Sequence, residues 1–321
     1  MPNDTPLDLG LADPGDDETD RQLKGALQEL VDGEAEAAAI AKRISTLVVS
    51  DCERDYEAHR ASLSNSPPKD DENNNKTACK PFSSPVGWIA YLWRTIGQAA
   101  IAIPHSHSGQ DRLVSLLQEL WRLPPQTIHY ISGDDVEEEY TFWESDENDQ
   151  FCQNMRLLDS VRHVRARGTE DANPTNPAKY AKFSAFLARV FARGLVDTTR
   201  FCALVTGEFL GLGWSYNKRP EKSEPHVLAA AQWMAHAGAG LWEMCEKKAY
   251  AAKGFNPKWW ARWRARFGQV AADDSGFSEQ ARESAAGALK QMAVFEEGGS
   301  LMEFSVVEAF RLNAKDWEDE G

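Results

Sequence analysis

The chain has 321 residues, of which 42% are apolar and 26% charged, and a formal net charge of −15. These proportions are those of a soluble globular protein and exclude a low-complexity or collagen-like chain. The acidity argues against a broad nucleic-acid surface. Five scattered cysteines with no Cys-x-x-Cys pair fit neither a disulfide framework nor a zinc site.

Residues 1–20 carry seven acids and no Lys or Arg. A disordered acidic tail is expected over 1–19, with no apolar leader. Leu23, Leu27, Leu30 and Val31 mark one face of a first helix. Asp32-Gly33 interrupts it, and Ile40, Ile44, Leu47 and Val48 mark a second. The Pro, Asn and Asp content of 64–82 reads as a flexible loop. Ser84-Pro85 opens a third helix, with Trp88, Ile89, Leu92, Trp93 and Ile96 on one side. Pro104 closes it. A fourth runs from about Ser108 to Arg122, and Pro124-Pro125 stops it.

Residues 134–149 carry nine acids and no base. The stretch 124–148 reads as a second flexible loop. Without it and the N-terminal run, the chain is close to neutral. A helix is expected over about 149–167. Asn176-Pro177 then caps the next, on which Tyr180, Phe183, Phe186, Leu187, Val190 and Phe191 form a broad apolar face. Lys182, Arg189 and Arg193 share the opposite side, and Gly194 ends the helix. Thr198–Leu210 is apolar nearly all round. Further helices are expected at about 225–247, 257–271 and 278–296, with a weaker one near 305–315. Residues 301–321 read as an acidic C-terminal tail. β-Branched alternation is almost absent. The expectation is an all-α chain, a single multi-helix domain over about 20–300 with nine or ten helices.

Three stretches carry a family resemblance. They are Tyr180-Ala-Lys-Phe-Ser-Ala-Phe-Leu-Ala-Arg189, Ala229-Ala-Ala-Gln-Trp-Met-Ala-His-Ala-Gly238 and Trp260-Ala-Arg-Trp-Arg-Ala-Arg-Phe267. Together with Pro104 and Leu113–Leu117, they resemble an uncharacterised fungal family, domain of unknown function 3632, over about residues 84–296. One of that family's members belongs to an oxopyrrolidine biosynthesis cluster. The resemblance implies a helical fold, a fungal source and occasional placement beside secondary-metabolism genes. It implies no activity. Where the family tends to carry two asparagines, this chain has Lys182 and Ser184.

The candidate site comes from residue types out of place. Glu208 falls between Phe201 and Leu204 on an apolar side of its helix. A carboxylate there must be paired, hydrogen-bonded or protonated. It forms a buried pair with Arg189, or else it works in a pocket as acid, base or ligand. Gln232 and His236 lie one turn apart on a narrow polar stripe. His236 reads as a structural, hydrogen-bonded histidine or as a general base. The many Ala and Gly residues around Trp233 and Trp242 leave room for a close helix or for a ligand. Trp259, Trp260, Trp263 and Phe267 fill an arc of about 120°, which reads as core with arginine stems on the ring edges. His105 and His107 read as a helix-entry loop, with no third metal ligand at suitable spacing.

Five of eleven tryptophans fall between Trp233 and Trp263. No GxGxxG, Walker, GxSxG or HExxH motif is present, so neither cofactor nor metal is expected. Two functions fit. In the first, a cytoplasmic helical protein holds a small hydrophobic or aromatic molecule with Glu208, Arg189, Gln232, Trp233, His236 and Trp242. Catalysis is left open. In the second, the chain is a non-catalytic scaffold that meets a basic protein partner through 134–149. Neither reading involves nucleic acid or a membrane.

Overall fold

The computed structural model describes residues 6–65, 84–132, 136–143, 176–210, 220–249, 254–298 and 305–309. Ten helices and one two-stranded sheet lie among them. The chain folds into two compact units. Of the described residues, the first unit takes 6–65, 84–99, 107–132 and 136–143. The second takes 100–106 and everything from 176 onward.

In the first unit the local signals act first. The Asp17 carboxylate accepts from the backbone of Asp20 at 2.9 Å, and the Asp20 carboxylate accepts in return from Asp17. This capping box opens α1 (Glu18–Asp32). Gly33 closes the helix at φ 77°, a left-handed conformation that glycine takes without penalty. Residues 6–17 of the expected acidic tail run back along α1. Leu9 is buried, the Leu7 amide donates to Asp32, and Asp16 pairs with Lys24 at 2.5 Å. Residues 1–5 lie outside the described residues. α2 (Ala37–Asn65) packs on α1 through Ile40, Ile44 and Val48. The loop expected over 64–82 lies almost wholly outside the described residues.

The Ser84 hydroxyl accepts from the Gly87 amide and opens α3 (Pro85–Ala102). α4 (Gly109–Trp121) begins with an unexpected cap: His107 Nδ1, not the Ser108 side chain, accepts from the Gly109 amide at 3.0 Å. A Cβ at Gly109 would lie 2.8 Å from Val31 and 2.9 Å from His107, so a larger residue would force a shift at this helix start. The stretch expected as a loop over 124–148 is in part a hairpin. β1 (Gln126–Ile131) pairs antiparallel with β2 (Glu137–Phe142), Ile128 facing Tyr140. Its anchor is tertiary. Trp143 Nε1 donates to Ser45 Oγ on α2 at 2.7 Å, and Ser45 donates to Gln126 at 3.2 Å. Acid content hid the hairpin, because Glu137, Glu138 and Glu139 are all exposed.

One buried carboxylate organises the middle of this unit. Asp51 is 8% exposed. It accepts from Trp88 Nε1 at 2.9 Å and from Thr19 Oγ1 at 3.2 Å, and it pairs with Arg54. Three donors replace the water it lost, as a buried charge requires.

The second unit is built on a long central helix. α5 (Pro177–Ala192) starts under Asn176, whose side chain accepts from the Lys179 amide, and Gly194 follows at φ 65°. α6 (Thr199–Phe209) buries Phe201, Cys202, Val205 and Phe209. α7 (Pro220–Lys247) runs through Pro225, where a start was expected; the proline costs one backbone bond near the helix end. α8 (Pro257–Ala271), α9 (Glu279–Glu296) and α10 (Val306–Ala309) complete the set. α7 packs on α5, α6, α8, α9 and α10. Tyr180 meets His226 and Phe191 approaches Gly240, so α5 and α7 run side by side in the same direction. The small residues on α7 serve close approach: a Cβ on Gly238 would run into the Phe295 ring. The helix expected over 149–167 lies outside the described residues.

Candidate functional site

The charged and polar residues proposed from sequence divide into two groups. Arg189 and His236 come together; Glu208 and Trp242 stand elsewhere on their helices. Arg189 points from α5 to the turn after α3. Its Nη2 donates to the carbonyl of His105 at 2.7 Å and its Nη1 to that of Ala185 at 3.3 Å. Lys182, two turns earlier on α5, donates to the carbonyl of Ala102 at 3.0 Å. Lys182 therefore faces the last carbonyl of α3, where the helix dipole is negative, and Arg189 faces the turn that follows.

His236 lies on the flank of α7 beside this group and is half-buried. Desolvation holds its pKa down to about 3, and the nearby charges of Arg189 and His105 push the same way. His105 is itself lowered, by desolvation and then by Arg189 and Lys182. Arg189 acts on both imidazoles, and Lys182 acts on His105 as well. Gln232, one turn before His236, is 9% exposed. The sequence reading had missed His105 and Lys182 as members. The signal for Lys182 was its seven-residue spacing from Arg189; nothing local pointed to His105.

Glu208 does not join the buried face of α6. Phe201, Cys202, Val205 and Phe209 take that face, whereas Leu204 and Glu208 share a half-exposed flank. The apolar neighbours that suggested burial are thus themselves only partly covered. Trp242 stands on the flank of α7 away from His236. It is half-exposed and lies 5.1 Å from the Trp260 ring. Trp260 and Trp263 are core, and Trp259 is half-exposed under the Arg262 guanidinium.

Trp233 is fully buried between Phe191 at 6.1 Å and Phe201 at 6.3 Å. Its Nε1 has no hydrogen-bond partner among the described residues. The same holds for Ser184 Oγ on the face of α5 that meets α7. Buried polar atoms are satisfied in the great majority of cases, so orphans on paired helices call for an explanation.

Among the described residues no group of three His, Cys, Asp or Glu side chains converges as a metal site, and no helix is long and apolar enough to cross a membrane. Residues 93–267 match the family model for proteins of unknown function DUF3632. The chain belongs to the DUF3632 family. The matched span holds Trp93 through Phe267, and therefore His105, Lys182, Ser184, Arg189, Gln232, Trp233 and His236. No curated protein and no solved structure matches the chain.

Proposed function

We propose that this DUF3632 chain binds a small, partly aromatic organic molecule on helices α5, α6 and α7. The observation that carries the reading is the pair of buried, unsatisfied polar groups on α5 and α7, Ser184 Oγ and Trp233 Nε1. An unmet indole N–H costs roughly 1–3 kcal/mol. A ligand acceptor that reached it would recover that cost and gain directional recognition. The aromatic walls are Tyr180, Phe183, Phe191 and Phe201. Gln232, His236 and Arg189 would supply polar contacts, and Glu208 and Trp242 would act from the half-exposed flanks. Conversion of the ligand and a role in fungal secondary metabolism extend the same proposal through the family resemblance, and a cytoplasmic place extends it through the scattered cysteines.

The test is tryptophan fluorescence quenching and thermal shift with a panel of small aromatic compounds. Wild type should respond. Trp233→Phe keeps most of the ring and loses the donor, and it should weaken binding about tenfold. A panel that leaves wild type unmoved, or that moves Trp233→Phe equally, counts against the site.

The scaffold reading keeps one supporting observation: the acidic row Glu137, Glu138 and Glu139 is exposed on β2. Neutralising the three should abolish capture of a basic partner if that reading is right.

A further inference from the structure

Trp233 and Ser184 are both 0% exposed, so a molecule that reaches either must first move part of the protein. Trp233 shares a stripe of α7 with Ala237 and Gly240, at helical spacings of four and seven residues. α10 covers the far end of that stripe. Gly240 makes room for it: a Cβ there would lie 2.9 Å from Val306 of α10 and 3.2 Å from Phe191 of α5. Phe191 in turn stands 6.1 Å from the Trp233 ring. Val306 and Phe191 thus flank one glycine, and Phe191 carries the contact on to the orphan indole. Both are fully buried.

One carboxylate fastens α10. Glu243, one turn after Gly240, accepts from the Val306 amide at 3.0 Å, from Ser305 Oγ, and from Lys247 Nζ at 2.7 Å. The Ser305 hydroxyl also accepts from the Glu308 amide at 3.2 Å. A helix of four residues has no stability of its own, so docking on α7 is what keeps α10 formed. α5, on the other side of Gly240, buries ten of its sixteen residues and is far harder to displace.

We propose that α10 is the lid of the ligand site on α5, α6 and α7, closed by Glu243 and opened to admit the ligand. The proposal rests on the small-molecule reading above and gives that ligand its route of entry. Opening breaks the bonds to Glu243 and lifts Val306 off Gly240. Phe191 then gains space beside α7 and turns from Trp233, which uncovers the indole nitrogen. Closure restores the bonds and shields the bound molecule from water.

Acrylamide, a small neutral amide, is the first probe. Its quenching of Trp233 in the full chain is read as the difference between each protein and its Trp233→Phe counterpart. Quenching should be about tenfold faster than wild type in Glu243→Ala and in Val306→Ala, which weaken the lid from its polar and apolar sides. Glu296→Ala removes a comparable carboxylate, one that ties α9 to α8, and should leave the rate unchanged. Wild-type rates in both lid variants overturn the proposal. So does an equal rise in Glu296→Ala, which signals general loosening. The second probe is 2-naphthamide, followed by stopped-flow tryptophan quenching. In Glu243→Ala its entry and exit should both quicken about tenfold, with affinity changed much less. Binding at wild-type rates overturns the lid and leaves the small-molecule reading intact. Faster acrylamide quenching with no naphthamide binding supports the lid and counts against the aromatic reading.

Discussion

Buried tryptophan is handled in two ways, and among the described residues the first unit mostly satisfies the indole where the second mostly does not. In the first, Trp88 and Trp143 pack and also donate, to Asp51 and Ser45. In the second, Trp233 and Trp263 are as deeply buried, yet their indole nitrogens have no hydrogen-bond partner among the described residues. Each unit has an exception: Trp260 donates to Glu296 at 2.8 Å in the second, and Trp93 Nε1 in the first is buried with no hydrogen bond among the described residues. The comparison separates two uses of one residue type. A satisfied indole fixes geometry at little polar cost. An unsatisfied one is a standing cost, tolerated where packing is strong and informative where a second orphan faces the same neighbouring helix.

The largest effect is expected at Asp51. Asp51→Ala removes the acceptor for Trp88 and Thr19 and should destabilise the first unit by about 3 kcal/mol in urea unfolding. A loss under about 1 kcal/mol would mean the network is not structural. Gly238→Ala tests how tightly the second unit is packed. Phe295 must move, and a loss of about 2 kcal/mol is expected, visible as a lower Tm. Paired Trp→Phe changes probe the comparison directly. Trp88→Phe takes one of three donors from the Asp51 carboxylate and should cost about 1 kcal/mol more than Trp233→Phe, which removes an orphan donor. The reverse order would break the distinction between the units. Ser184→Ala deletes an unsatisfied hydroxyl and should be neutral or stabilising by up to about 1 kcal/mol, since no bond is lost.

The smallest effect is the pH dependence from His236. Its folded pKa is about 3, against the ordinary 6.5. Below pH 6.5 the unfolded chain takes up a proton that the folded chain refuses, so stability falls with pH until about 3 and rises again toward neutrality. His105 adds to the same slope, and the groups facing His236 are Arg189 and His105. Unfolding midpoints between pH 7 and pH 5 should therefore drop in wild type and drop less in His236→Gln. Parallel curves would show that His236 is not held neutral.

Much of the fold was legible from short-range patterns. Ser84, Asn176-Pro177 and Gly33 marked helix ends because caps act within a few residues. The core faces of α1, α4 and α5 followed from the 3.6-residue period. The hairpin at 126–142 was not legible. Its second strand opens on three glutamates and holds one β-branched residue, and its anchor, Trp143 to Ser45, spans almost a hundred positions. Glu208 misled for a related reason. Periodicity tells which residues share a side of a helix, but not whether a neighbour covers that side.

The amino-acid sequence by itself determined the all-helical class, most helix spans, the family and the uneven placement of acids, because each depends on local periodicity, capping or composition. The tertiary structure alone decided which polar residues meet. Asp51 with Trp88 and Thr19, and His105 with Lys182, Arg189 and His236, are assembled from segments far apart in the chain. Burial and charge at such points depend on what packs against each helix, and no period along a single segment contains that information.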